Sequence, residues 1–136
     1  MRRATVLVIA SSLATGMAAA CGSDEDSTNA SKYEGEKAKV AAVVDELGEA
    51  SRNGDGARVC RELFTRNLAI SVKRAARRPC ADEVTTKVFD EDADFEVQDL
   101  SVIDNRATAR VEDQKKRKSV LYLAKERGRW RIARIS

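Results

Sequence analysis

Cys21, Cys60 and Cys80 carry the most reactive side chains in this sequence. Thiols can pair as disulfides, bind metal, act as nucleophiles or take a lipid. No Cys-x-x-Cys occurs, and the 136 residues contain no histidine. The commonest general base and the commonest zinc ligand are therefore missing. Cys60 and Cys80 have no third ligand in view, so a redox pair or a metal site has little to rest on. Among carboxylates, Asp45, Glu46 and Glu49 fall close together. Residues 45 and 49 share a helix face, but the apolar pattern assigns that face to solvent. No catalytic set, metal site or cofactor is expected.

The surroundings of Cys21 suggest what its thiol does. Met1-Arg2-Arg3 is basic, Ala4 to Thr15 is largely apolar, and Ala18-Ala19-Ala20 are small. That order is a secretory signal, and the apolar run is too short and too rich in Ala and Ser to span a membrane. One exit is cleavage after Ala18-x-Ala20, leaving an N-terminal cysteine. The other follows from a resemblance: Ala20-Cys21-Gly22-Ser23 is similar to a bacterial lipobox, whose cysteine takes a diacylglycerol thioether. Ala18 departs from that pattern, where Leu, Val or Ile is usual. Cysteine parity favours lipidation. An exported protein with three thiols has one left over. If Cys21 is acylated, Cys60 and Cys80 remain as one disulfide. The expected address is the extracytoplasmic face of a bacterial cell membrane, with the N-terminal lipid as the anchor.

Charge narrows the partners. Loss of Arg2 and Arg3 with the signal takes the 25 basic residues to 23, against 22 acidic ones. Near-neutrality argues against a nucleic-acid partner, which selects a basic excess on one face. The densest basic run, Lys115-Lys116-Arg117-Lys118, has two readings: contact with anionic headgroups or wall polymers, or a solvated hairpin turn whose charges guard the sheet edge. The second is favoured. Lys73 to Arg78 is another basic cluster.

The elements follow from periodicity. Residues 1–20 are the signal, 21–36 an acidic, Ser-rich tether that cannot order itself, and 37–136 one domain. Val40, Val43, Val44 and Leu47 predict a helix over Lys37 to Arg52. Asn53-Gly54-Asp55-Gly56 ends it, with Gly54 as a left-handed cap and Asp55 as the next N-cap. A second helix is predicted over Gly56 to Phe64, a weak one with Leu68, Ala69, Val72, Ala75 and Ala76, and another after Pro79 carrying Cys80, Val84, Val88 and Phe89. From Phe95 the period becomes two, with a slip at Asp99 and a turn at Asp104-Asn105. Ala107, Ala109 and Val111 alternate on the second strand, and Ser119 to Ala124 form the third. On the last strand Trp130, Ile132 and Arg134 are expected on one face, with Arg131, Ala133 and Ile135 on the other. The class is α+β: N-terminal helices packed on a curved four-stranded antiparallel sheet.

The long first helix, the Gly-Asp-Gly break, the placing of Cys60 and Cys80, the Arg106–Val111 strand and the closing Gly128-Arg129-Trp130-Arg131-Ile132 resemble small bacterial lipoproteins of the nuclear transport factor 2-like superfamily. The likeness covers residues 37–136. It implies a cone between sheet and helix, with Val40, Val44, Leu47, Leu121, Leu123 and Trp130 lining or filling it. Branches of that superfamily include isomerases, dehydratases and cyclases, and others have no known activity, so fold alone assigns no function. A dimer through the open sheet face is a further implication. The reading is a non-enzymatic envelope lipoprotein that binds a protein or a small apolar ligand. The alternative is an isomerase, dehydratase or cyclase with a buried carboxylate facing Tyr122.

Overall fold

The structure is a computed structural model that describes residues 28–87 and 93–136. The signal segment, Cys21, most of the tether, and Val88 and Phe89 lie outside the described residues.

Alternating side chains after Phe95 build the predicted meander. Strands β1 (Phe95–Ile103), β2 (Arg106–Asp113), β3 (Lys118–Glu126) and β4 (Arg129–Ile135) pair antiparallel in the order β1-β2-β3-β4. Val97 faces Val111, Leu100 faces Ala109, and Ala109 in turn faces Leu121 on the buried side. The slip expected at Asp99 is present between Val97 and Asp99. It lets Val97 and Leu100, three residues apart, share the inner face.

A second irregularity corrects the reading of β4. Tyr122 pairs with Arg134 while Leu123 pairs with Ile132, so Ala133 is the extra residue. Beyond it the faces exchange. Arg134, expected beside Trp130 and Ile132, lies opposite Tyr122 on the outer face, and Ile135 lies opposite Leu121.

Helix α1 (Gly35–Arg52) buries Val40, Ala41, Val43, Val44, Leu47 and Ala50 against the sheet. Gly54 follows at φ 65°, and Asp55 Oδ1 accepts from the Arg58 N–H at 3.0 Å. Helix α2 (Gly56–Arg58) does not continue to Phe64 as an α-helix. It widens into a π-turn over Val59–Leu63, closed by Phe64 N–H to Val59 O at 2.8 Å. The wide turn releases Phe64 into extended backbone, where it bridges Ile132, and Thr65 N–H bonds Ile132 O at 2.8 Å. This covers part of the β4 edge. Helices α3 (Arg66–Ala76) and α4 (Cys80–Lys87) complete the layer. A disulfide joins Cys60 in the π-turn to Cys80 at the start of α4, with the Cα atoms 6.2 Å apart.

The tether is shorter than expected. Asn29–Lys32 forms a 3₁₀ turn, and Asn29 is buried. The Asn29 side chain pairs with the β1 edge as a peptide group would. Its Nδ2 donates to Phe95 O at 2.6 Å, and its Oδ1 accepts from Val97 N–H at 2.8 Å. The folded unit thus includes residues that composition assigned to a disordered spacer. Charged neighbours dominate that composition, and one well-placed amide overrides it.

Candidate functional site

Helix α3 positions an apolar concavity. Thr65 caps it, its Oγ1 accepting from the Leu68 N–H at 3.2 Å, and Arg77 ends it in the left-handed region at φ 55°, two residues before Pro79. Leu68, Val72 and Ala76 recur at helical spacing toward the body of the protein. Yet no residue of α3 is fully buried. Its inward stripe is thin because two of its positions, Ala75 and Ala76, are methyl groups. A cleft of about 490 Å³ remains between α3, Val84 of α4 and Ile135 of β4, floored by Phe64. That volume lies in the range of small-molecule sites.

The lining is mostly hydrocarbon. Its one carboxylate, Glu83, accepts from Arg78 Nε at 2.6 Å, while Arg78 Nη2 also donates to Thr86 Oγ1 at 2.6 Å. Arg134 sits at the rim with its guanidinium carbon 3.9 Å from the Tyr122 ring centroid. Such a cleft can hold an apolar molecule. It offers no nucleophile beside a base.

A second concavity, about 560 Å³, lies between the 3₁₀ turn, α1 and β1. Two of its polar groups are engaged by the fold: Asp45 with Asn29, and Arg52 Nη1 with Ala93 O at 3.0 Å. Asp45, read from the sequence as a solvent-side carboxylate, is corrected here to a structural acceptor.

Val40, Val44, Leu47, Leu121, Leu123 and Trp130 pack together, and of the six only Val44 also borders the concavity beside the 3₁₀ turn. All six belong to one buried cluster, none more than 5% exposed, and valines from α1 meet leucines and Trp130 from the sheet to fill the space. The Trp130 indole N–H donates to Glu36 Oε2 at 2.7 Å. Lys125 stands 5.3 Å from the ring centroid and 2.9 Å from the same carboxylate oxygen. Lys39 holds the other oxygen at 2.8 Å. These contacts pull the Glu36 carboxyl down to about 2, led by the Lys39 hydrogen bond, then those of Lys125 and Trp130.

Tyr122 lies on the outer face of the sheet, opposite Thr108 and Arg134. Arg134 and then Ser136 hold its phenol below the usual value. An acid facing Tyr122 inside the fold, the arrangement the enzyme alternative requires, is not formed by the described residues.

The basic turn supplies much of its own counter-charge. Lys116 Nζ is 3.0 Å from Glu112 Oε1, a contact that raises the lysine's pKa. Arg117 Nε is 2.6 Å from Asp113 Oδ2. Burial pushes the Asp113 carboxyl up, but the Arg117 N–H and guanidinium outweigh it and leave the group lowered. Lys118, at the start of β3, is exposed and pairs in register with Glu112, and Lys115 is exposed in the turn. Lys116 and Arg117 are thus already matched in place.

Among the described residues no group of three or more Cys, Asp or Glu side chains could hold a metal ion, and no helix is long and apolar enough to cross a membrane. Comparison of the chain with protein-family models, with curated proteins and with solved structures gave no match.

Proposed function

We propose that this chain is a non-enzymatic binding module of the bacterial cell envelope, anchored by a lipid on Cys21, whose ligand is a small apolar molecule seated in the cleft beside α3. One observation carries the reading. The interior expected to hold a ligand is filled by its own side chains, whereas a hydrocarbon-lined cleft of about 490 Å³ opens at the α3–α4–β4 junction. The fold assigned is a nuclear transport factor 2-like curved sheet whose cone is closed by Trp130 and the α1 valines.

The anchor draws support from thiol arithmetic. Cys60 and Cys80 are joined to each other, which leaves Cys21 as the odd cysteine beside a signal-like leader. Export also suits a disulfide-bonded domain.

The ligand site is tested by titrating a neutral fluorescent naphthylamine into wild-type protein and an Ala76→Trp variant. Saturable, one-site enhancement in the wild type that is lost in the variant at unchanged melting temperature is expected. Absence of saturation, or equal binding by the variant, defeats the cleft assignment. Metabolic labelling with a palmitate analogue tests the anchor. Label should follow the wild type into the membrane fraction and be lost in Cys21→Ser. A wild type that never takes label rules the anchor out.

A further inference from the structure

We infer that the outward face of α3 docks on an anionic lipid surface. This face is opposite the cleft, so the inference stands apart from the ligand proposal. Arg66, Ile70, Lys73, Arg74 and Arg77 recur at helical spacing on one side of the helix. All five are exposed. Among the described residues, none of the four cations has an ion-pair partner. The contrast with other basic residues is direct: Arg78 is paired with Glu83, and Lys116 and Arg117 with Glu112 and Asp113. Four unmatched charges within three helical turns mark a surface whose counter-charge comes from outside the chain.

Ile70 decides which kind of anion. It is 39% exposed and sits inside the ring of cations. One exposed isoleucine on a protein surface needs no explanation by itself. Surrounded by unpaired Lys and Arg, it matches a partner with negative charge at its surface and hydrocarbon just below, which is a bilayer carrying anionic headgroups. A nucleic acid or a wall polyanion would use the cations and leave Ile70 in water. The helix is also a fixed platform: Thr65 caps it, and the Cys60–Cys80 bridge closes the segment that contains it.

The test places a depth probe at the centre of the face in the full chain. Ile70→Trp protein is mixed with vesicles of phosphatidylcholine, with and without phosphatidylglycerol, carrying brominated acyl chains. Wild-type protein supplies the background, because Trp130 is buried. Emission from the substituted position should be quenched and blue-shifted on anionic vesicles. The quenching should fade between about 0.1 M and 1 M salt as the Debye length contracts from ~10 to ~3 Å. Adding Arg66→Gln, Lys73→Gln, Arg74→Gln and Arg77→Gln should weaken the vesicle affinity read by the quenching by roughly a hundredfold or more, each cation near the surface contributing about a fivefold change. Lys73→Gln alone gives a graded control should the fourfold variant fold poorly. Quenching that is absent on anionic vesicles overturns the inference. So does equal quenching on neutral vesicles, or binding to heparin with no quenching on any vesicle.

Discussion

Asp45 on α1 holds Asn29 at both its backbone and its side chain. Asp45 Oδ1 accepts the Asn29 N–H at 3.0 Å and its Nδ2 at 2.8 Å, while Oδ2 accepts the Ala30 N–H at 2.9 Å. Asn29 then completes the β1 edge at Phe95 and Val97. One carboxylate thereby ties the segment before α1 to the helix and, through the asparagine, to the sheet. Asp45→Ala removes three hydrogen bonds to a charged acceptor and leaves buried donors unmatched, so a loss of about 2–3 kcal/mol is expected. Asn29→Ala should cost a similar amount, and the double variant less than the sum. Denaturant titration of the four proteins checks this. Additive losses would show that the two residues act separately.

Glu36 makes stability pH-dependent in acid. Its folded-state pKa, about 2, is below the ordinary carboxyl value of 4.5. A depressed carboxylate adds stability that is fully present above the unfolded pKa and is lost as pH falls toward the folded one. Wild type should therefore melt above Glu36→Gln at neutral pH. The gap should close between about pH 4.5 and pH 2. A gap that persists at pH 2 would assign the difference to something other than the ionised carboxylate.

The Cys60–Cys80 bridge spans 20 positions. In the chain-entropy treatment, closing a loop of that size contributes about 3 kcal/mol. Reduction, or the paired Cys60→Ser and Cys80→Ser variant, should lower the unfolding midpoint accordingly. Because the loop contains α3, amide exchange in Arg66–Ala76 should accelerate more than in β2 and β3. Uniform acceleration would mean that the bridge stabilises the whole fold without a local effect.

Gly56 permits a close crossing. A Cβ at this position would collide with the Ala81 carbonyl oxygen and Thr85 Oγ1. Ala81 belongs to α4, whose start is bridged to the π-turn, so its backbone has little room to retreat. Gly56→Ala should destabilise by about 1–3 kcal/mol. At Gly54 a Cβ meets open space, and the cost is backbone strain at φ 65°, about 1 kcal/mol. Calorimetry on the two single variants should therefore rank Gly56→Ala as the more damaging.

What the sequence determined by itself is the part governed by local periodicity. The α1 stripe of Val40, Val44 and Leu47, the alternation of Ala107, Ala109 and Val111, the slip at Asp99 and the cap at Asp55 each depend on residues within one turn or one strand. The pairing of Cys60 with Cys80 was expected from the thiol count and the signal-like leader, and the two are joined. Tertiary structure decided the rest, because the rest depends on groups far apart in the chain. The Glu36–Trp130 contact joins residues 94 positions apart and the Asn29–Phe95 contact 66, and no spacing rule reaches that far. The extra residue at Ala133 is visible only once β4 is laid against β3, and it alone moves Arg134 to Tyr122. The filled interior and the open cleft have the same cause. Packing depends on how side-chain volumes meet across layers: valines against leucines and Trp130 close one space, and the two methyl groups of Ala75 and Ala76 leave the other open.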